Sequence, residues 1–88
     1  MLVNEVRAEI SGHQVRVANY VNSAKLYIDG DCRDTFEELF SLGREPSLSA
    51  SISDTPRPTL VEVFLKTGLL KVKIKICANG QFVAGDNF

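Results

Sequence analysis

The chain has no tryptophan, a single histidine, two cysteines and three prolines among 88 residues. Each shortage removes a class of protein. Two cysteines cannot build the disulfide framework that holds small secreted domains together. A zinc site needs three or four ligands. Cys32, Cys77 and His13 total three, lie far apart in sequence and include no C-x-x-C pair. No apolar run approaches the ~20 residues of a membrane-spanning helix. A net charge of −1 leaves no broad field to draw in nucleic acid or an anionic membrane. The opening MLVNEVRAEI alternates and carries charge from Glu5 onward, without the basic and then apolar segments of a secretion signal. The expected location is therefore the cytoplasm, with both thiols reduced and a Cys32–Cys77 disulfide as the lesser alternative.

What is present is strand pattern. Eighty-eight residues make one domain, and a chain of this size buries about 60–65% of the surface it exposes when unfolded. From Val72 to Ala78 the alternation is strict. Val72, Ile74, Ile76 and Ala78 point one way; Lys73, Lys75 and Cys77, with Lys71 before them, point the other. That period belongs to a strand with one buried and one wet face. Segments 3–10 and 14–20 alternate around Ser11-Gly12-His13 and read as a first hairpin. Segment 24–28 runs into Asp29-Gly30, a strong hairpin signal because both residues tolerate positive φ. Leu48, Ala50 and Ile52 alternate with serines, and Asp54-Thr55-Pro56-Arg57-Pro58 cannot continue a central strand. Asn79-Gly80 marks a last turn.

Two details sharpen this picture. Thr35-Phe36-Glu37-Glu38 matches a helix capping box, with Phe36, Leu39 and Phe40 on one helical face and Gly43 as a terminator. This predicts a short helix over 36–42. Thr67-Gly68, read as a two-residue loop, pairs Glu62 with Lys73, Val63 with Val72 and Phe64 with Lys71. The expected fold is all-β: a small antiparallel sandwich or partly open barrel of about six or seven short strands, with the helix at one end.

Segments SGHQVRV, AKLYIDG and KVKIKICANGQFVAGD resemble, in order and spacing, the all-β module of the Fas apoptotic inhibitory molecule family. The likeness spans about two-thirds of the chain and rests on strand-turn-strand pattern. It implies a non-enzymatic, protein-binding sandwich and carries over no catalytic residues.

Among candidate sites, Lys71, Lys73 and Lys75 recur about 6.6–6.8 Å apart on one strand face, with Glu62 and Phe64 beside them. This is the one coherent array outside the expected core. Such a ridge is ordinarily a solvated face that discourages edge pairing. A nucleic-acid interface would interleave aromatics, and Phe64 alone is expected there, which argues against nucleic acid. Asp29, Asp31, Asp34, Glu37 and Glu38 cluster without the spacing of a calcium loop, so no metal or cofactor is expected. A Cys–His catalytic pair would need both groups in one cleft; His13 reads as a solvated turn residue and Cys77 as partly exposed. The expected function is binding, to a protein partner or to a second copy, through a sheet face or strand edge. The alternative is a small-ligand or anion-binding barrel with a cavity lined by Phe36, Phe40 and Phe64.

Overall fold

A computed structural model of the chain describes every residue except Met1, Leu39, Thr55 and Leu70. Eight strands follow one another: β1 (Leu2–Ile10), β2 (His13–Tyr20), β3 (Ala24–Ile28), β4 (Asp31–Phe36), β5 (Leu48–Ile52), β6 (Thr59–Thr67), β7 (Val72–Ala78) and β8 (Gln81–Gly85). They form two antiparallel meanders of four strands, β1-β2-β3-β4 and β5-β6-β7-β8. Three hairpins owe their geometry to two-residue turns with positive φ at both positions: Ser11-Gly12, Asp29-Gly30 and Asn79-Gly80. That is the turn type whose twist matches paired strands.

The inward residues of both sheets meet in one core. Val15, Val17, Leu26 and Ile28 of the first sheet and Leu48, Val61, Val63, Ile74 and Ile76 of the second belong to a single buried cluster. β1 lies against β8 and β7, and β4 against β5, so the sheets stack with their outer strands matched. The radius of gyration, 12.2 Å, equals what a single packed domain of this length requires. Neither sheet could exist alone, since each would leave half of this cluster in water.

The expectation of an all-β antiparallel fold holds, and of the sandwich and the partly open barrel the two four-stranded sheets agree with the sandwich, with eight strands rather than six or seven. Two finer expectations do not. No helix occurs among the described residues. Phe36 instead closes β4 opposite Ala24 and packs on the core. Beyond it the chain is drawn to β6. Ser41 and Thr67 exchange hydrogen bonds, Leu42 bridges Lys66, and the Ser47 amide donates to the Val63 carbonyl. A seven-residue helix offers too few internal bonds to outweigh such pairing. Leu39, which the helical reading also used, lies outside the described residues.

The β6–β7 register is the second correction. Glu62 faces Cys77, Val63 faces Ile76, Phe64 faces Lys75 and Lys66 faces Lys73. The ladder continues past Thr67, where the Gly68 amide donates to the Lys71 carbonyl at 2.9 Å. Reversal at Thr67-Gly68 would demand positive φ from a β-branched residue. Lys71 accordingly lies before β7 rather than on it.

Candidate functional site

The outer face of the second sheet carries the lysine array. Pairing sets its rows: Glu62, Cys77 and Phe82 in one, Phe64, Lys75 and Gly85 in the next, Lys66 and Lys73 in the third. The Lys75 ammonium sits 4.9 Å from the Phe64 ring centre and 4.7 Å from that of Phe88. It also donates to the Phe88 carbonyl at 2.6 Å. Two rings and one acceptor therefore hold a cation that sequence alone places in open water. The Phe88 ring and the Lys66 side chain both close on Gly43, so the C-terminal residue folds back over this face. Lys71 stands off it, 3.8 Å from Asp86.

Lys66 and Lys73 differ from Lys75. They are directly opposed across strands, and among the described residues neither pairs with a carboxylate. Like charges so placed are mutually unfavourable. Leu42 bridges Lys66 beside them, and farther along the same sheet, two or more rows away, the surface turns apolar. Phe82 is 53% exposed and Leu60 42%, with Leu42 and Val83 also open. Val83 is the extra residue of a bulge between Ile76 and Cys77, which turns it out of the ladder. Phe82 and Phe88 thus join Phe64, more aromatic surface than the sequence pattern assigned. Cys77, expected to be partly exposed, is only 7% so; the row of Glu62 and Phe82 on either side covers it.

The first sheet's outer face is self-satisfied. Arg16 Nε donates to Glu5 Oε2 at 2.7 Å and its guanidinium stacks 4.9 Å from the Tyr27 ring. Arg7 meets the other Glu5 oxygen at 3.3 Å. The Arg16 hydrogen bond holds the Glu5 carboxyl below its usual range, and a hydrogen bond with Tyr20 raises the Tyr27 phenol. Lys25 lies 5.9 Å from the Tyr20 ring.

At the end of the stack where the β1–β2 and β3–β4 turns meet the β5–β6 loop, His13 lies between two carboxylates. Its Nδ1 contacts Asp29 Oδ2, and its Nε2 lies 3.0 and 2.8 Å from the two oxygens of Asp54. It is thus no solvated turn residue. Cys32 is exposed on the outer face of the first sheet and Cys77 belongs to the outer face of the second, so neither joins His13. The acidic cluster is likewise dispersed. Asp29 binds His13 and the Gln14 amide, whereas Asp34 accepts from the Thr35 and Ser49 amides. No group of metal-ligating side chains occurs among the described residues. Phe36 and Phe40 line a shared surface depression with Ser41 and Leu42, but Phe64 lies on the outer sheet face instead. The inward side chains of the two sheets form one buried cluster, with Phe36 packed at its margin.

Comparison with known proteins finds no matching family model, no matching curated protein and no matching solved structure.

Proposed function

We propose that this chain is a non-enzymatic binding module that docks a protein segment on the outer face of its second sheet. The observation that carries this is the Lys66–Lys73 pair: two opposed ammonium groups with no carboxylate partner among the described residues, with Phe64 in the next row and exposed Phe82 one row beyond it. An extended segment lying along the strands, with a carboxylate at the two lysines and an apolar side chain several residues on at Phe82 and Leu60, meets both ends of the face. Lys75, Glu62 and Phe64 shape it, and Lys71 stands at its margin. The resemblance to the Fas apoptotic inhibitory molecule family implies the same kind of role. Edge pairing is less suited to the β5 side, because side chains of β4 already occupy its free backbone groups.

The test compares two charge reversals by affinity capture. Lys66→Glu with Lys73→Glu alters the proposed face; Arg7→Glu alters the opposite sheet. Loss of the captured proteins with the first variant and retention with the second supports the assignment. Equal capture by all three sinks it. Light scattering at micromolar concentration decides whether the occupant is a second copy: a dimer that Phe82→Ser dissociates reassigns the face to self-assembly.

A further inference from the structure

His13 joins parts of the molecule that no strand connects. Its ring sits at the start of β2, in the first sheet. Asp29 belongs to the β3–β4 turn of that sheet, but Asp54 belongs to the β5–β6 loop of the other. We propose that His13 is a proton-operated latch that fastens the β5–β6 loop of the second sheet to the hairpin end of the first.

The geometry requires a charged ring. Carboxylates accept and do not donate, so both ring nitrogens must carry hydrogen to bond Asp29 and Asp54 at once. A neutral imidazole has one N–H. Its bare nitrogen would then face a carboxylate, lone pair against lone pair. One of the two contacts must open.

Which one opens follows from the anchoring. Asp29 Oδ1 accepts the Gln14 amide at 2.9 Å, and the Asp29 amide donates to the Gln14 carbonyl at 2.8 Å. The turn therefore keeps Asp29 beside the ring. Asp54 sits in a loop, with its side chain 61% exposed. Deprotonation releases the Asp54 arm, and the release occurs on the second sheet. The Ser11–Thr59 hydroxyl pair, 3.2 Å apart, remains as a neutral tie across the same end.

The other charges around the ring are consistent with this. Asp31 and Arg33 of β4 line the cleft with Asp29 and Asp54. Glu9 of β1 pairs with Gln14 on the outer face. Asp29, hydrogen-bonded to the ring, raises His13 above the usual imidazole range, with Asp54 adding to it; His13 in turn lowers Asp29, as does Arg33. A raised histidine stabilises the folded state fully below its unfolded value of about 6.5 and loses that contribution as pH climbs through the raised value. A lowered aspartate contributes above about 3.9 and loses its share as pH falls through the lowered value. The latch holds between these limits and opens on the alkaline side. Opening thins the cover over Ile28 and Ile52, which line the same cleft and are buried.

The chain has one histidine, so a titration near neutrality has one imidazole source. The experiment measures hydrogen-exchange protection at pH 6 and pH 9, corrected for intrinsic exchange, in the whole chain and in His13→Gln. The expected result is at least tenfold lower protection at pH 9 for Ile52–Asp54 and Thr59–Leu60, with β7 unchanged. His13→Gln should show the unlatched level at both pH values. Equal protection at both pH values in the parent chain, or the same pH response in His13→Gln, overturns the latch. Asp54→Asn covers the case in which His13→Gln does not fold. The imidazole shifts should report a pKa above 6.5 in the parent and a lower one in Asp54→Asn. An identical titration in both overturns the proposal.

Discussion

The amide of Ser49 donates to the carboxylate of Asp34 at 2.9 Å, across the gap between the two sheets. β5 is an edge strand, and its unpaired backbone groups are a template for another chain. β4 answers with side chains rather than with a ladder. Asp34 takes the Ser49 amide, and the Arg33 guanidinium reaches the Ser51 carbonyl at 3.5 Å. The bulge between Leu26 and Tyr27 makes this possible, because it turns consecutive residues of β4 toward the neighbouring sheet. The stack is closed on that side without a continuous barrel.

Asp34→Ala should therefore do two things. It removes the bonds to Ser49 and to the Thr35 amide, a loss of about 1.5–3 kcal/mol for a charged acceptor. It also frees the β5 edge. A thermal midpoint lower by about 4–8 °C per kcal/mol should be accompanied by increased light scattering on standing. A normal midpoint would show that the edge is not held by this side chain.

Much of the fold was legible and some of it was not, for identifiable reasons. Alternation in Val72–Ala78 marked the buried parity correctly, and Asp29-Gly30 and Asn79-Gly80 marked their turns. Parity, however, cannot see an even slip. Moving Val63 from Val72 to Ile76 displaces the partner by four residues and leaves every side chain on the same face. The Glu62–Lys73 charge match then lent false support. The 36–42 segment misled in another way. Its capping pattern was local, whereas the Ala24–Phe36 and Ser41–Thr67 pairings that overrode it are contacts with distant strands. Phe64 on the lysine face was foreseen. The ring of Phe88 over Lys75 was not, because a terminal segment has no period to read. His13 could have been suspected beside Asp29 once the Val15–Ile28 pairing was set, but Asp54 lies 41 residues away and leaves no local signal.

Gly85 is a position where backbone approach dictates the residue. Its φ is 102°, and a Cβ there would lie 2.2 Å from the Ile74 carbonyl oxygen. The next residue depends on this approach, since Asp86 exchanges bonds with both the amide and the carbonyl of Ile74. Gly85→Ala should cost about 1–3 kcal/mol from conformation alone, and more from displacing the Ile74 oxygen. The check is the thermal midpoint together with the Ile74 amide shift. An unperturbed Ile74 would mean that the end of β8 is not held as described.

Lys66 and Lys73 oppose each other without compensation among the described residues. Replacing one of them by an acid converts repulsion into an opposite-charge pair, worth about 0.2–1 kcal/mol on a sheet face. Lys66→Glu should accordingly raise the denaturation midpoint slightly while weakening capture of an acidic partner. Stability and binding moving in opposite directions separates a binding surface from a merely solvated one. A variant that is less stable and binds as before would remove the lysine pair from the argument.

The two thiols should behave as chemical opposites. Cys32 is exposed at the edge strand β4, while Cys77 lies under the Glu62–Phe82 row of the other sheet. Their strands belong to different sheets and their side chains point to opposite outer faces, so no disulfide joins them without unfolding. A thiol reagent added to the native chain should label one cysteine quickly, at Cys32, and the second only after denaturant is added. Phe82→Ala should bring Cys77 into the fast class by uncovering its row. Two fast thiols in the unaltered chain would contradict the burial of Cys77, and with it the placement of Phe82 on the binding face.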